Sequence, residues 1–290
     1  MHAGLRAFVL FSALILLFVG IGYLVGYYFV GDWLLGMLMF LALAGLLNLV
    51  GYFFSAKIVL ASYRARVVSE AEAPKLHRIV KNICMKSGLP MPKIAIIPTQ
   101  NPNAFATGRN KKKAVVAATE GIIALLDDDE LEGVLAHEMA HVGNRDIMVM
   151  SAAATIAGAI AFAASTARWG VLVGSGRNNN NALMLLLVAI TVPIAAMLIQ
   201  LAISRGREFE ADREGAMMSG KPMSLARALG KLEEGNKRRP LRGGNPASAS
   251  MFIVNPFRGG GVVSLFMTHP PIETRIRRLT KLAEETGQLR

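Results

Sequence analysis

The chain has 290 residues, 53% of them hydrophobic and only 18% charged, with a mean hydropathy of +0.41. A soluble globular protein is usually richer in charge, and that balance leaves room for several membrane spans plus one compact domain, but not for two large domains. The net charge of +12 suits a protein facing anionic lipid head groups. It comes without the interleaved aromatics or binding module of a nucleic-acid protein, so Lys111–Lys113 read as a solvated turn.

In chain order, two uncharged stretches come first, Ala7–Gly31 and Trp33–Ala56, separated by Asp32 alone. Each is long enough to cross about 30 Å of hydrocarbon at about 1.5 Å per residue. No Ala-x-Ala cleavage site separates them, so residues 1–56 are predicted to form a helical hairpin anchor rather than a signal peptide. The polar segment 57–146 follows. It opens with an amphipathic helix, Ala73–Met85, ending near Ser87–Gly88, and Pro90 and Pro92 then bound a strand, Lys93–Ile97. Two further β-like runs, Ala104–Thr107 and Ala114–Ala118, are joined by a Gly108–Lys113 turn. Thr119 is a candidate N-cap for a short helix, Glu120–Leu126. Asp127 and Asp128 are candidate caps for the next, with Asp129, Glu130 and Glu132 at its positive end. The lone Cys84 excludes an internal disulfide and fits a reducing compartment.

Residues 147–167 and 182–204 are again uncharged and predict a second transmembrane hairpin over 147–204, with a polar loop at 168–181. The last polar segment, 205–290, carries a helix up to Gly220, another over Pro222–Glu234, a flexible loop at 235–250, and a final helix with Ile272, Ile276, Leu279 and Leu282 on one face. Of the 32 Lys and Arg residues, only Arg168 and Arg177 lie in the short connections between paired spans. Positive residues mark the cytoplasmic side, so both termini and both polar segments are predicted cytoplasmic. The fold class expected is a mainly α membrane protein with a small β-sheet, four transmembrane helices and a cytoplasmic α+β domain divided between 57–146 and 205–290.

The chemistry lies in "LAHEMAHVGNRD", residues 135–146. Four residues apart on a helix, His137 and His141 can reach one metal ion, and Glu138 stands beside them to hold the proton of an attacking water. A catalytic zinc takes a third protein ligand, and "REFEAD" supplies Glu208, with Asp212 four residues on to accept a hydrogen bond from a ligating histidine. Glu210 with Glu214 has the same spacing and is the competing pair. His141 falls six residues before the third predicted span and Glu208 four after the fourth, so a detour through the bilayer accounts for the gap between them.

With these residues in view, the chain resembles the HtpX family of bacterial membrane zinc proteases, relatives of the CAAX prenyl proteases among the gluzincins. The resemblance covers essentially the whole length and rests on the 137–141 and 208–212 motifs, on "NAFATG" at 103–108 and on "HPPIETRI" at 269–276. It implies a zinc endopeptidase with a gluzincin-like domain, His137, His141 and Glu208 as ligands, Glu138 as general base and Asp212 orienting a histidine. It further implies that Asn103 and Ala104 lie on a substrate-binding edge strand; the plainer reading is a hairpin turn cap. His269 matches a residue near the active site that would face the oxyanion, against a plain helix-start cap. Arg213 and Arg275 are expected to make structural ion pairs. The implied partners are membrane-protein substrates and the bilayer, without nucleic acid, in a bacterial inner membrane under a quality-control or stress role. A site-specific processing peptidase and a non-enzymatic structural zinc protein are the rival readings. The sequence carries no reading of oligomeric state.

Overall fold

A computed structural model describes residues 3–173, 205–241, 251–256 and 269–288. Helix α1 spans Ala3–Val25 and closes in a π-type turn, Gly26–Val30; α2 spans Trp33–Ser62. The chain reverses at Gly31, whose φ of 77° is open to glycine, and the Leu34 and Leu35 N–H groups donate to Asp32 Oδ1 at 2.9 and 3.0 Å, capping α2. The two helices cross backbone to backbone: a Cβ on Gly22 would stand 2.6 Å from the Gly36 carbonyl oxygen. Large apolar side chains such as Phe8, Leu16, Leu38 and Leu46 point away from the protein. Gly4–Tyr28 and Trp33–Ser62 are both long and apolar enough to cross a membrane, and a ring cluster of Tyr23, Tyr27, Tyr28 and Trp33 gathers at the hairpin turn.

The second helix is longer than its uncharged stretch. It runs past Ala56 to Ser62 and lays Val59 and Tyr63 against a four-stranded sheet, because those residues bury apolar surface there. The strands are β1 (Arg66–Val68), β2 (Lys93–Ile97), β3 (Ala104–Thr107) and β4 (Val115–Thr119), in spatial order β1-β2-β4-β3. Only the β2–β4 pair is parallel. Successive residues of β4 face opposite sides: Val116 and Ala118 join one core, Val115 and Ala117 the other. The three-residue β1 was not expected from sequence.

On the first face pack α3 (Pro74–Ser87), α4 (Glu120–Leu125) and α5 (Asp128–Gly143), then α7 (Arg205–Ser219), α8 (Pro222–Arg238) and α9 (Ile272–Thr286). Thr119 caps α4, and Asp127 with Glu130 forms a reciprocal capping box on α5. The second face is sealed by Tyr63, Phe105 and Phe252, with ring centroids 5.0–6.0 Å apart.

After α5 only Asn144 and Arg145 precede α6 (Asp146–Val173). Arg145 makes the break with a left-handed φ of 60°. The start of α6 is buried against α1 and α2 through Val149, Ala153 and Ile156. Helix therefore continues six residues beyond the expected 147–167 span; the fourth predicted span, 182–204, lies outside the described residues. The predicted loop at 235–250 is corrected at its start, since α8 continues to Arg238. Asn236 anchors that extra turn, donating from Nδ2 to the Pro102 and Leu232 carbonyls at 3.0 and 2.8 Å.

Candidate metal centre

Helix α5 presents His137 and His141 on one face, and α7 crosses it closely enough to bring Glu208 between them. His141 Nε2 lies 3.5 Å from Glu208 Oε1, and His137 Nε2 lies 3.9 Å from Glu208 Oε2. The three residues are buried, and one ligand atom from each falls within 4.8 Å of the others. His137 Nε2 and Glu208 Oε1 have no hydrogen-bond partner among the described residues. Two buried acceptors left open in one pocket would each cost about 1–3 kcal/mol, a cost a shared cation removes. The donor set, two imidazoles and one carboxylate, fits a divalent metal with a position to spare.

Each histidine is held through its other ring nitrogen. His137 Nδ1 sits 3.0 Å from Asp212 Oδ1 and His141 Nδ1 sits 3.3 Å from Asp146 Oδ2, so each ring is held by a carboxylate at Nδ1 and turns Nε2 to the cluster. Asp212 is gripped by Arg275, whose Nε donates to Oδ2 at 2.8 Å and Nη2 to Oδ1 at 2.6 Å. Arg275 does make the ion pair expected from sequence, but within the site itself, where it also donates from Nη1 to the Ile253 carbonyl at 2.8 Å. Burial pushes His137 down to about 4 against the pull of Asp212, keeping the ring neutral. Burial also disfavours charge on His141, but Asp146, Glu208 and Glu138 outweigh it and raise the ring to about 9. Burial works against the Glu208 carboxylate too, yet His269, His141 and His137 hold it well below the usual range.

Glu138 points from α5 to the sheet, where the Ala106 N–H donates to its Oε2 at 2.8 Å. Burial pushes this carboxyl up to about 8, opposed by His141 and assisted by Glu208. Close to neutrality, such a group can both take and return a proton.

His269 falls beside the cluster, its Nδ1 2.9 Å from Glu208 Oε2. The competing pair is turned away: Glu210 reaches Arg207 at 3.7 Å, and Glu214 accepts from Asn144 Nδ2 at 2.7 Å. Asn103 and Ala104 lie at the outer edge of the sheet on β3, where the chain's own residues 253–254 cover them. There the Ile253 N–H donates to the Ala104 carbonyl at 3.3 Å, and Asn103 Nδ2 donates to the Val254 carbonyl at 2.6 Å. Sequence reasoning missed Asp146, the 251–254 segment and the place of Arg275 in the site. For Asp146 the one available signal was an acidic residue five positions past His141.

Fold and site together define a membrane metallopeptidase, with two histidines and a glutamate placed where they could hold a cation, and with a carboxyl beside them. The chain belongs to Peptidase family M48, whose family profile matches residues 70–283. It is 54% identical to a Protease HtpX homolog of Pyrococcus furiosus over 93% of both chains, and 52% identical to one of Pyrococcus abyssi over 98% of this chain and 97% of that one. The crystal structure of S. mikatae Ste24p aligns with a TM-score of 0.49 at 16% identity, over 90% of this chain and 62% of that one.

Proposed function

We propose that the protein is a zinc-dependent integral membrane endopeptidase that cleaves misfolded or damaged membrane proteins at the cytoplasmic face of the cell membrane. The observation that carries this reading is the His137–His141–Glu208 cluster with Glu138 bonded to the neighbouring β3 backbone. Zinc held by His137, His141 and Glu208 would polarise the scissile carbonyl and make water acidic near neutral pH. Glu138 accepts the proton of the attacking water and passes it to the leaving amine. Asp212 and Asp146 keep the two imidazoles in the tautomer that presents Nε2. His269, anchored on Glu208, stands at the rim to donate to the developing oxyanion.

Substrate backbone adds to the edge of β3 at Asn103 and Ala104. The chain's own Ile253 already makes one backbone bond of the kind an added strand would make there, to the Ala104 carbonyl, and a substrate displaces it. Apolar helices beside the protease domain favour clients that are themselves in the bilayer. In this reading α6 and residues 182–204 form the second membrane hairpin.

Replacing Glu138 by Gln in the purified protein tests the chemistry. Zinc remains bound, while cleavage of casein or a membrane-protein client falls by about 10²–10⁴-fold. Wild-type cleavage by this variant overturns the mechanism. Single cysteines at Asp32 and Asn178 test the topology: both label from outside the cell, and labelling of the second from inside overturns the four-span arrangement.

A further inference from the structure

Arg6, on the first turns of the membrane anchor, is almost fully buried, with 6% of its surface exposed. Its Nη2 pairs with Asp146 Oδ1 at the start of α6, while the other oxygen of that carboxylate faces His141 Nδ1 at 3.3 Å. Arg207, the residue before Glu208, pairs with the same Oδ2. Asp146, 1% exposed, therefore joins the anchor helix α1, the histidine on α5 and the glutamate-bearing helix α7.

We infer that Arg6 is a positioning residue for the metal ligand His141, acting through Asp146, so that the first membrane helix is part of the metal centre. This rests on the proposed metal site at His137, His141 and Glu208. A buried carboxylate facing an imidazole and one arginine can turn to the stronger partner. Arg207 and His141 approach the same oxygen, so Arg207 alone competes with the histidine for Asp146. Arg6 fixes the opposite oxygen, stops the carboxylate rotating towards Arg207, and leaves Oδ2 aimed at Nδ1–H. The imidazole is then held with Nε2 towards Glu208. Arg6 also meets part of the cost of burying the Asp146 charge, as a second cation beside Arg207 in a site where one anion serves three helices.

The test is zinc affinity of the full-length protein in detergent or nanodiscs, read by competition with a chromogenic chelator. Losing a group that orients a metal ligand costs about 10–100-fold in affinity. Asp146→Ala falls within that range, Arg6→Gln loses about ten-fold, and Arg6→Lys recovers most of the loss because it restores the charge on Oδ1. Arg66→Gln, which removes an exposed pair with Glu72, leaves affinity at the wild-type value. Unchanged affinity in Arg6→Gln and Asp146→Ala, with loss in His141→Ala, overturns the positioning role alone. Lowered thermal stability in Arg6→Gln at wild-type affinity does so too, since it marks a purely structural pair. Wild-type affinity in His141→Ala overturns the underlying metal site instead.

Discussion

Gly215 of α7 lies against the backbone of His137: a Cβ at 215 would stand 2.7 Å from both the His137 Cα and N. That absence of a side chain lets the Glu208 helix approach the two histidines. Gly215→Ala has backbone, not a flexible side chain, in its way, so the helices must part. The expected cost is about 1–3 kcal/mol of stability, together with loss of zinc retention, read by denaturant unfolding and metal analysis.

Gly230, in the middle of α8, is the counterexample. Its nearest neighbour for an added Cβ is the tip of Ile276 at 4.0 Å, an ordinary contact. Gly230→Ala is expected to raise stability by roughly 0.5–1 kcal/mol through helix propensity, without changing cleavage. A drop in stability would show that α8 is not helical at this point.

Arg275 is wholly buried and holds Asp212 with two bonds. Arg275→Ala strands the carboxylate beside His137 and is expected to cost about 3–5 kcal/mol. Arg275→Lys keeps the charge but not the planar fork, and recovers only part of that loss. Thermal unfolding of the two variants side by side checks the order.

Metal removal should be felt by the fold as well as by catalysis. Chelation leaves His137 Nε2 and Glu208 Oε1 open inside the protein, and zinc at a thousand times its dissociation constant is worth about 4 kcal/mol of stability. The melting temperature therefore falls on chelation and returns with zinc. In Glu208→Gln that zinc-dependent return is absent.

At the β3 edge, Asn103→Ala removes the side chain that bridges to Val254. Hydrogen exchange of the Ile253 and Val254 amides is expected to accelerate, while exchange in β4 stays as it was. Equal protection in the variant would mean that the Ile253–Ala104 backbone bond and Arg275 hold the segment without Asn103.

Much of the site is legible in the sequence because local geometry carries it. Spacing of four residues puts His137 with His141 and Glu208 with Asp212, whatever surrounds them. The Asp127–Glu130 capping box is equally local. Arg6 and Arg275 are another matter: each acts on a residue far along the chain, Asp146 and Asp212, and a charge near a span end or on an amphipathic helix carries no sign of such a partner. The 251–254 segment is similar, an apolar run whose meaning comes from lying on β3. The added turn of α8 depended on Asn236 finding partners at Pro102, which composition at 235–239 does not reveal.

The unbroken course of α2 has a mechanical consequence. Thirty residues of helix measure about 45 Å, well beyond the ~30 Å of a bilayer's hydrocarbon. The surplus ends on the sheet through Val59 and Tyr63, with no flexible tether between. The protease domain is thus mounted on a stiff post rather than hung from a leash. Its candidate metal centre keeps one height and one heading relative to the membrane, and a polypeptide must be brought to it.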